Sequence, residues 1–408
     1  MQTILHPTLA SSPAAQEGAS IIGRCVHCGF CLANCPTYQL LGDERDSPRG
    51  RIYLIKAMLE GATASATTQT HLDRCLGCRA CESACPSGVR YGALLDIGRG
   101  LLEAQRPRRL RQRWLRTVLL RVVPSRARFD AMLRIGRRLR GVLPRLWRAK
   151  IPARAQTISA DLAGQSHARR VLALDVCAES ATPATRASLA RVLARCGLTI
   201  ESAPGAGCCG ALAYHLGRHA EGLAAMRRNI DAWGPLVERG AEAIVVSATG
   251  CGVTVRDYGH LLRDDAANAE RAARIAALVR DPAELVDAGP HGWLAAIGRG
   301  RRIAFHAPCS LQHGLKGDAR VERLLREAGY ELAPVADAHL CCGSAGSYSI
   351  LQAAIADALR ARKLAALVAN APDMIATANI GCQLHLGAAA NVPVRHWIEL
   401  IDPDAPPI

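Results

Sequence analysis

The chain has 408 residues, half of them hydrophobic, and a formal net charge of +16, so it is long enough for two or three domains with a sizeable buried core. Nearly all of that charge sits in one segment: between Arg99 and Lys150, sixteen arginines and one lysine face Glu103 and Asp130, a net of +15. A nucleic-acid binder would spread its charge over its domains and carry base-stacking aromatics, so that class is disfavoured. Seventeen cysteines without an evident export signal speak against disulfides and for metal or redox work in a reducing compartment. No stretch offers the ~20 apolar residues of a membrane span.

Residues 1–22 read as a flexible or loosely docked lead-in. The chain then runs Cys25-x2-Cys28-x2-Cys31-x3-Cys35-Pro36, and a second run repeats the spacing as Cys75-x2-Cys78-x2-Cys81-x3-Cys85-Pro86. This is the bacterial ferredoxin pattern for [4Fe-4S] clusters, in which three thiolates hold one cluster and the fourth ligates the other. The expected ligand sets are therefore Cys25, Cys28, Cys31 and Cys85 for cluster one, and Cys75, Cys78, Cys81 and Cys35 for cluster two. A zinc site would favour two separated pairs instead of a triplet plus one.

Between the runs, Ile52, Ile55, Met58 and Leu59 recur at helical spacing after Ser47-Pro48, with Gly61 as the stop, which predicts a helix there. Arg49, Arg51 and Lys56 on it read either as a docking or anion-entry face or as a solvated helix face. In the basic segment, Trp114, Leu115, Val118, Leu119, Val122 and Val123 alternate with arginines. After Pro124 the pattern resumes with Phe129, Met132, Leu133, Ile135, Leu139, Leu143, Leu146 and Trp147. Such basic amphipathic helices suit an anionic membrane surface. Packing on the protein's own domains or on an acidic partner subunit is the competing expectation.

From about residue 166, short apolar strands (Val171–Val176, Ile244–Ser247) alternate with alanine-rich helices such as Thr182–Cys196, the signature of α/β units around a mostly parallel sheet. This half repeats itself. Cys177, Cys208-Cys209-Gly210 and Gly250-Cys251 recur as Cys309, Cys341-Cys342-Gly343 and Gly381-Cys382, at offsets of 131 to 133 residues. Each Cys-Cys-Gly is expected in a turn leading to a helix. Cys177, Cys208, Cys209 and Cys251 form one candidate metal set, and Cys309, Cys341, Cys342 and Cys382 the other. Either fits an additional cluster or a zinc ion. Cys196 has no counterpart and reads as a structural thiol. His215, His306, His313 and His339 each read as hydrogen-bonded structural histidines, while His385, three residues after Cys382, offers a fifth ligand.

Two ferredoxin runs followed by two Cys-Cys-Gly repeats resemble a family of iron-sulfur electron-transfer subunits. It includes the iron-sulfur subunits of glycolate oxidase and of anaerobic glycerol-3-phosphate dehydrogenase, lactate-utilisation subunits and heterodisulfide reductase subunits. The order of parts, with Ser47-Pro48-Arg49-Gly50-Arg51, Ala248-Thr249-Gly250-Cys251-Gly252 and Val394-Arg395-His396-Trp397-Ile398-Glu399-Leu400, looks most like the glycolate branch. The heterodisulfide reductase relatives end each repeat with Cys-x-x-Cys. Here Thr254 and His385 stand at that second position.

The expected fold is mixed α and α/β: a helix-rich two-cluster ferredoxin domain (1–98), a basic helical linker (99–165), and two pseudo-symmetric α/β lobes (166–298 and 299–408). No flavin or nicotinamide fingerprint and no catalytic triad stands out, so the organic redox chemistry belongs elsewhere. The resemblance implies an FAD-containing dehydrogenase subunit as partner, oxidising glycolate to glyoxylate. It also implies a quinone or other membrane acceptor, and a cytoplasmic location peripheral on the inner membrane. The same relay for lactate or glycerol 3-phosphate, and a thiol-disulfide reductase built on the Cys-Cys-Gly half, are the rival expectations.

Overall fold

The computed structural model describes residues 1–142, 151, 167–174, 177 and 179–405. Within the first hundred residues, helices α1 (Pro13–Gly23), α3 (Pro48–Leu59) and α6 (Tyr91–Gln105) pack on one another. The shorter helices α2 (Pro36–Leu41), α4 (Ala66–Asp73) and α5 (Ala80–Ser83) surround them. Helix α3 forms as the spacing predicts. Ser47 accepts from Gly50 N at 3.0 Å as N-cap, Pro48 occupies the first turn, and Ile52, Ile55, Met58 and Leu59 are all buried. Helix α6 runs unbroken across the expected division at residues 98 and 99.

Two expectations for this region are corrected. The lead-in is docked: Ser12 caps α1, Ala15, Gly18, Ile21 and Ile22 pack one face inward, and the Met1 amino group donates to the Cys25 carbonyl at 3.0 Å. Its apolar residues sit at helical spacing, and that periodicity outweighs the alanine-rich composition. Arg51 lines neither an entry nor a solvated face, because it is 1% exposed.

Helices α7 (Leu110–Val122) and α8 (Arg126–Arg138) follow. Each buries one leucine, Leu119 and Leu133. Part of the charge is spent internally: Arg108 and Arg116 both pair with Asp73 (2.6 and 3.0 Å) and with Glu103. Leu110, Trp114, Met132, Ile135 and Leu139 remain exposed beside arginines. Leu143, Leu146 and Trp147 lie outside the described residues.

The second half is two four-stranded parallel sheets of the same topology. Strands β1 (Arg169–Ala173), β2 (Leu198–Ser202), β3 (Ala243–Val245) and β4 (Val279–Arg280) lie in the order β2-β1-β3-β4. Strands β5 (Arg302–His306), β6 (Glu331–Ala333), β7 (Met374–Thr377) and β8 (Val394–His396) repeat it as β6-β5-β7-β8. Asp175 and Val176 of the first expected strand lie outside the described residues. Right-handed crossover helices cover parallel sheets on both faces, and the lobes also cover each other. One apolar core includes Leu189 and Val253 from the first lobe with Phe305 and Trp397 from the second. Across the same junction Thr185 donates to Glu399 (2.6 Å), Arg191 pairs with Asp402 (2.6 Å) and His396 Nε2 donates to the Ser247 carbonyl (3.0 Å). Cys196 is buried in this core, as expected of a structural thiol.

The ferredoxin part rests on both lobes. Arg79 pairs with Asp257 at 2.6 Å and Asp96 with His215 at 2.9 Å in the first lobe. In the second, the Tyr348 hydroxyl donates to the Arg74 carbonyl at 2.9 Å and Ser83 bonds His313 at 2.9 Å.

Candidate iron-sulfur and thiol sites

None of the seventeen cysteines is in a disulfide. The eight ferredoxin-type thiols gather around two recesses. The first is lined by Cys25, Cys28, Cys31 and Cys85 together with Val26, Phe30 and Arg49. The second is lined by Cys35, Cys75, Cys78 and Cys81 with Arg51 and Tyr91. Cys81 lies on the wall between them, since it also borders the first. The first recess thus receives three thiols from its own run and two from the other, and the second three from one run and one from the other. Local backbone chemistry does this: Pro36 and the N-cap role of Cys35 turn the chain into α2, away from Cys31.

The two recesses differ in their surroundings. Around the first, Cys28 is exposed, and Val26 and Phe30 are 69% and 65% exposed. Around the second, the buried Arg51 guanidinium lies 4.0 Å from Cys35 Sγ and donates to the His71 carbonyl (2.7 Å), Thr37 Oγ1 (3.1 Å) and Asp46 (3.2 Å). Asp46 is itself paired with Arg74 and His71, both at 2.9 Å. The Tyr91 hydroxyl donates to Cys75 Sγ at 3.6 Å. Burial pushes the Cys31 thiol up to about 11, and pushes Cys78 and Cys81 well above the usual thiol range. Thiols so placed resist ionising unless a metal takes the charge, which reverses the balance. That fits a metal cluster better than a redox dithiol, which needs lowered pKa values.

In the first lobe the thiols form a string: Cys208 contacts Cys177 and Cys209, and Cys209 contacts Cys251. Donation from Cys177 and Cys209 holds Cys208 well below the usual thiol range. The second lobe repeats the string. Cys309 Sγ lies 3.9 Å from Cys341 Sγ, Cys341 contacts Cys342, and Cys342 contacts Cys382. The glycine of each motif is required twice over. Gly210 and Gly343 have φ of +86° and +90°, and a Cβ would lie 2.6 Å from the Gly222 and Ala356 carbonyl oxygens respectively. Gly343 N points back at Cys341 Sγ at 3.4 Å.

The second recess adjoins the second lobe. The charge of Cys309 acts on Cys78, and that of Cys78 on Cys341. Tyr348 feels both Cys75 and Cys341, and burial pushes its hydroxyl pKa up. Three of the four thiol groups therefore form a sequence from the first recess to the second to the second lobe.

Sequence reasoning misplaced Arg51 and passed over Tyr91. Thr254 spends its hydroxyl on the Gly250 carbonyl (3.1 Å), a within-helix bond. His385 directs Nε2 to the Ala356 carbonyl at 3.3 Å. The histidine that joins the thiols is His306, whose ring lies with Cys342 and Cys382. Burial pushes its pKa down to about 3, so the imidazole is neutral. The available signal was the repeat itself: at this point, three residues before the first cysteine, the first copy has Leu174.

Residues 21–89 match the 4Fe-4S dicluster domain family, and residues 171–256 and 303–387 each match the cysteine-rich domain family. The glycolate oxidase iron-sulfur subunit of Escherichia coli (strain K12) is 50% identical over 98% of both chains. The chain belongs to the family of glycolate oxidase iron-sulfur subunits. The probable glycolate oxidase iron-sulfur subunit of Bacillus subtilis (strain 168) is 32% identical over 93% of both chains. Lactate utilization protein A of Bacillus licheniformis is 27% identical over 52% of this chain and 89% of its own length. Among the described residues no helix is long and apolar enough to cross a membrane.

Proposed function

We propose that the chain is the electron-transfer subunit of a flavin-dependent glycolate dehydrogenase complex. The arrangement that supports this reading is the two adjoining recesses, each lined by thiols drawn from both runs, the second of them set beside Cys309 and Cys341 of the second lobe. The proposed ligands are Cys25, Cys28, Cys31 and Cys85 in the outer recess and Cys35, Cys75, Cys78 and Cys81 in the inner one. When bound, two [4Fe-4S] clusters supply one-electron chemistry. Glycolate gives up two electrons and two protons on becoming glyoxylate, so an FAD-containing partner must take the pair and release it singly.

The chain's own residues divide the remaining work. Val26, Phe30 and the exposed edge at Cys28 form the proposed face for the flavin partner. Arg51 and Tyr91 hold positive charge and a hydrogen-bond donor against the inner thiolates. The lobe-two thiols Cys309 and Cys341 border the inner recess and close its far side. The exposed Trp114, Met132, Ile135 and Leu139 among arginines support peripheral contact with an anionic membrane, on the cytoplasmic face, where a quinone would accept the electrons. The four-part division of the chain set out from the sequence stands as a proposal, with the first boundary moved past α6. Glycolate is preferred over lactate because the glycolate relatives match nearly the whole chain and the lactate ones about half.

The test uses the complex purified anaerobically with its partners. Cys28→Ser or Cys78→Ser should leave glycolate-dependent flavin reduction intact and abolish reduction of a quinone analogue. Full quinone reduction by either variant would refute the relay. Deleting residues 106–148 should release the complex from anionic vesicles, and unchanged binding would remove that segment as the anchor.

A further inference from the structure

The two lobes share strand order, Cys-Cys-Gly turns and thiol strings, yet they differ where the central strand ends. His306 is the last residue of β5, and Leu174 follows β1 at the equivalent place. The C-terminal ends of strands are where parallel α/β sheets bind ligands. His306 is 2% exposed, and neither of its ring nitrogens has a hydrogen-bond partner among the described residues. A neutral imidazole carries one donor and one acceptor, and burying both unpaired is costly. The ring is nevertheless placed so that a nitrogen, Cys342 Sγ and Cys382 Sγ all lie within 4.8 Å of one another, all three residues being buried. In the first lobe the matching thiols, Cys209 and Cys251, also touch, but Leu174 offers them only methyl groups.

We infer that His306, Cys342 and Cys382 bind a single divalent ion of the zinc type, a site without a histidine counterpart in the first lobe. One imidazole and two or three thiolates in a closed, buried setting are the ligand set of structural zinc. Cys341, in contact with Cys342, is the candidate for the fourth ligand. A divalent ion with two thiolates and a neutral imidazole is uncharged, and a third thiolate adds one negative charge. Lys363 stands ready to offset it: this buried ammonium is fixed by the Asp337 (2.7 Å) and Ala338 (3.3 Å) carbonyls, and its charge bears on both His306 and Cys341. Asn229 bonds the Cys208 carbonyl of the first lobe at 3.1 Å, and the cation there is Arg228, which donates to the same carbonyl at 3.5 Å and bears on Cys208; what the first lobe lacks is the imidazole. His385 is engaged with Ala356 and is not part of the set. Such a site would tie the Cys-Cys-Gly turn to the central strand and to the helix carrying Cys382. The inference stands on these contacts whether or not the relay reading holds.

The experiment is a metal count on the full chain purified anaerobically, with zinc and iron measured separately. About one zinc per chain is expected. His306→Leu, which copies the first lobe, should lose the zinc while iron is unchanged. His306→Cys should retain it, and after exchange with Co2+ should gain intensity in the thiolate-to-cobalt absorption near the ultraviolet. Unchanged iron in His306→Leu reports that the chain has folded, and the His306→Cys result decides the matter if it has not. Zinc retained by His306→Leu, zinc absent from the parent chain, or loss of zinc from His306→Cys would each overturn the assignment. A wrong iron count would count against the relay and not against this site.

Discussion

The two ferredoxin runs have the same spacing and opposite surroundings. The outer recess is bordered by exposed Val26 and Phe30, with Cys28 at the surface. The inner one is bordered by the buried Arg51 and Tyr91, with the buried Asp46 network behind Arg51. Spacing therefore sets which thiols meet, and packing sets what each group of thiols is for. In the proposed relay the outer site trades electrons with the flavin partner. The inner site receives them, and Arg51 and Tyr91 counter the charge that arrives.

That contrast can be broken most severely at the inner recess. Cys78→Ser should cost about half of an expected eight irons and abolish acceptor reduction, measured by iron assay and quinone-analogue turnover of the purified complex. Arg51→Met comes next. It leaves Asp46 buried with only part of its pairing, and breaking a buried ion pair typically costs about 3–5 kcal/mol. Anaerobic chemical denaturation should register that loss, and a stability within 1 kcal/mol of the parent would deny Arg51 its supporting role.

Phe30→Ser sharpens the outer half of the comparison. Burying a phenylalanine at an interface is worth about 1.5–3 kcal/mol, so affinity for the flavin partner should fall by roughly 10- to 100-fold with iron content untouched. Unaltered affinity would move the docking face elsewhere. Tyr91→Phe is the smallest change. Removing one donor from Cys75 should lower the reduction potential of the inner site by about 20–60 mV, taking a net hydrogen bond as about 0.5–1.5 kcal/mol and 59 mV per tenfold for one electron. The outer site's potential should stay where it was.

What the sequence disclosed follows from how locally each feature is encoded. The ferredoxin runs, the α3 helix and the 131- to 133-residue repeat are patterns along the chain, and they appear in the structure at their expected places. The role of Arg51 was hidden because its helix position looks like any solvated arginine, and only packing of α3 against Cys35 and the His71 carbonyl buries it. The placing of the inner recess against Cys309 and Cys341 joins residues more than two hundred positions apart, which no local pattern records. His306 was passed over for a different reason: single histidines are usually structural, and its special standing is visible only when it is set beside Leu174 and found without partners in the core.

The most direct measurement is iron and sulfide per chain in the anaerobically purified protein, followed by electron paramagnetic resonance of the dithionite-reduced sample. Two clusters held by cross-assigned thiols sit close enough to interact magnetically. The account predicts about eight irons and a spectrum broadened by coupling between two reduced [4Fe-4S] centres. About four irons with a single uncoupled signal would contradict it.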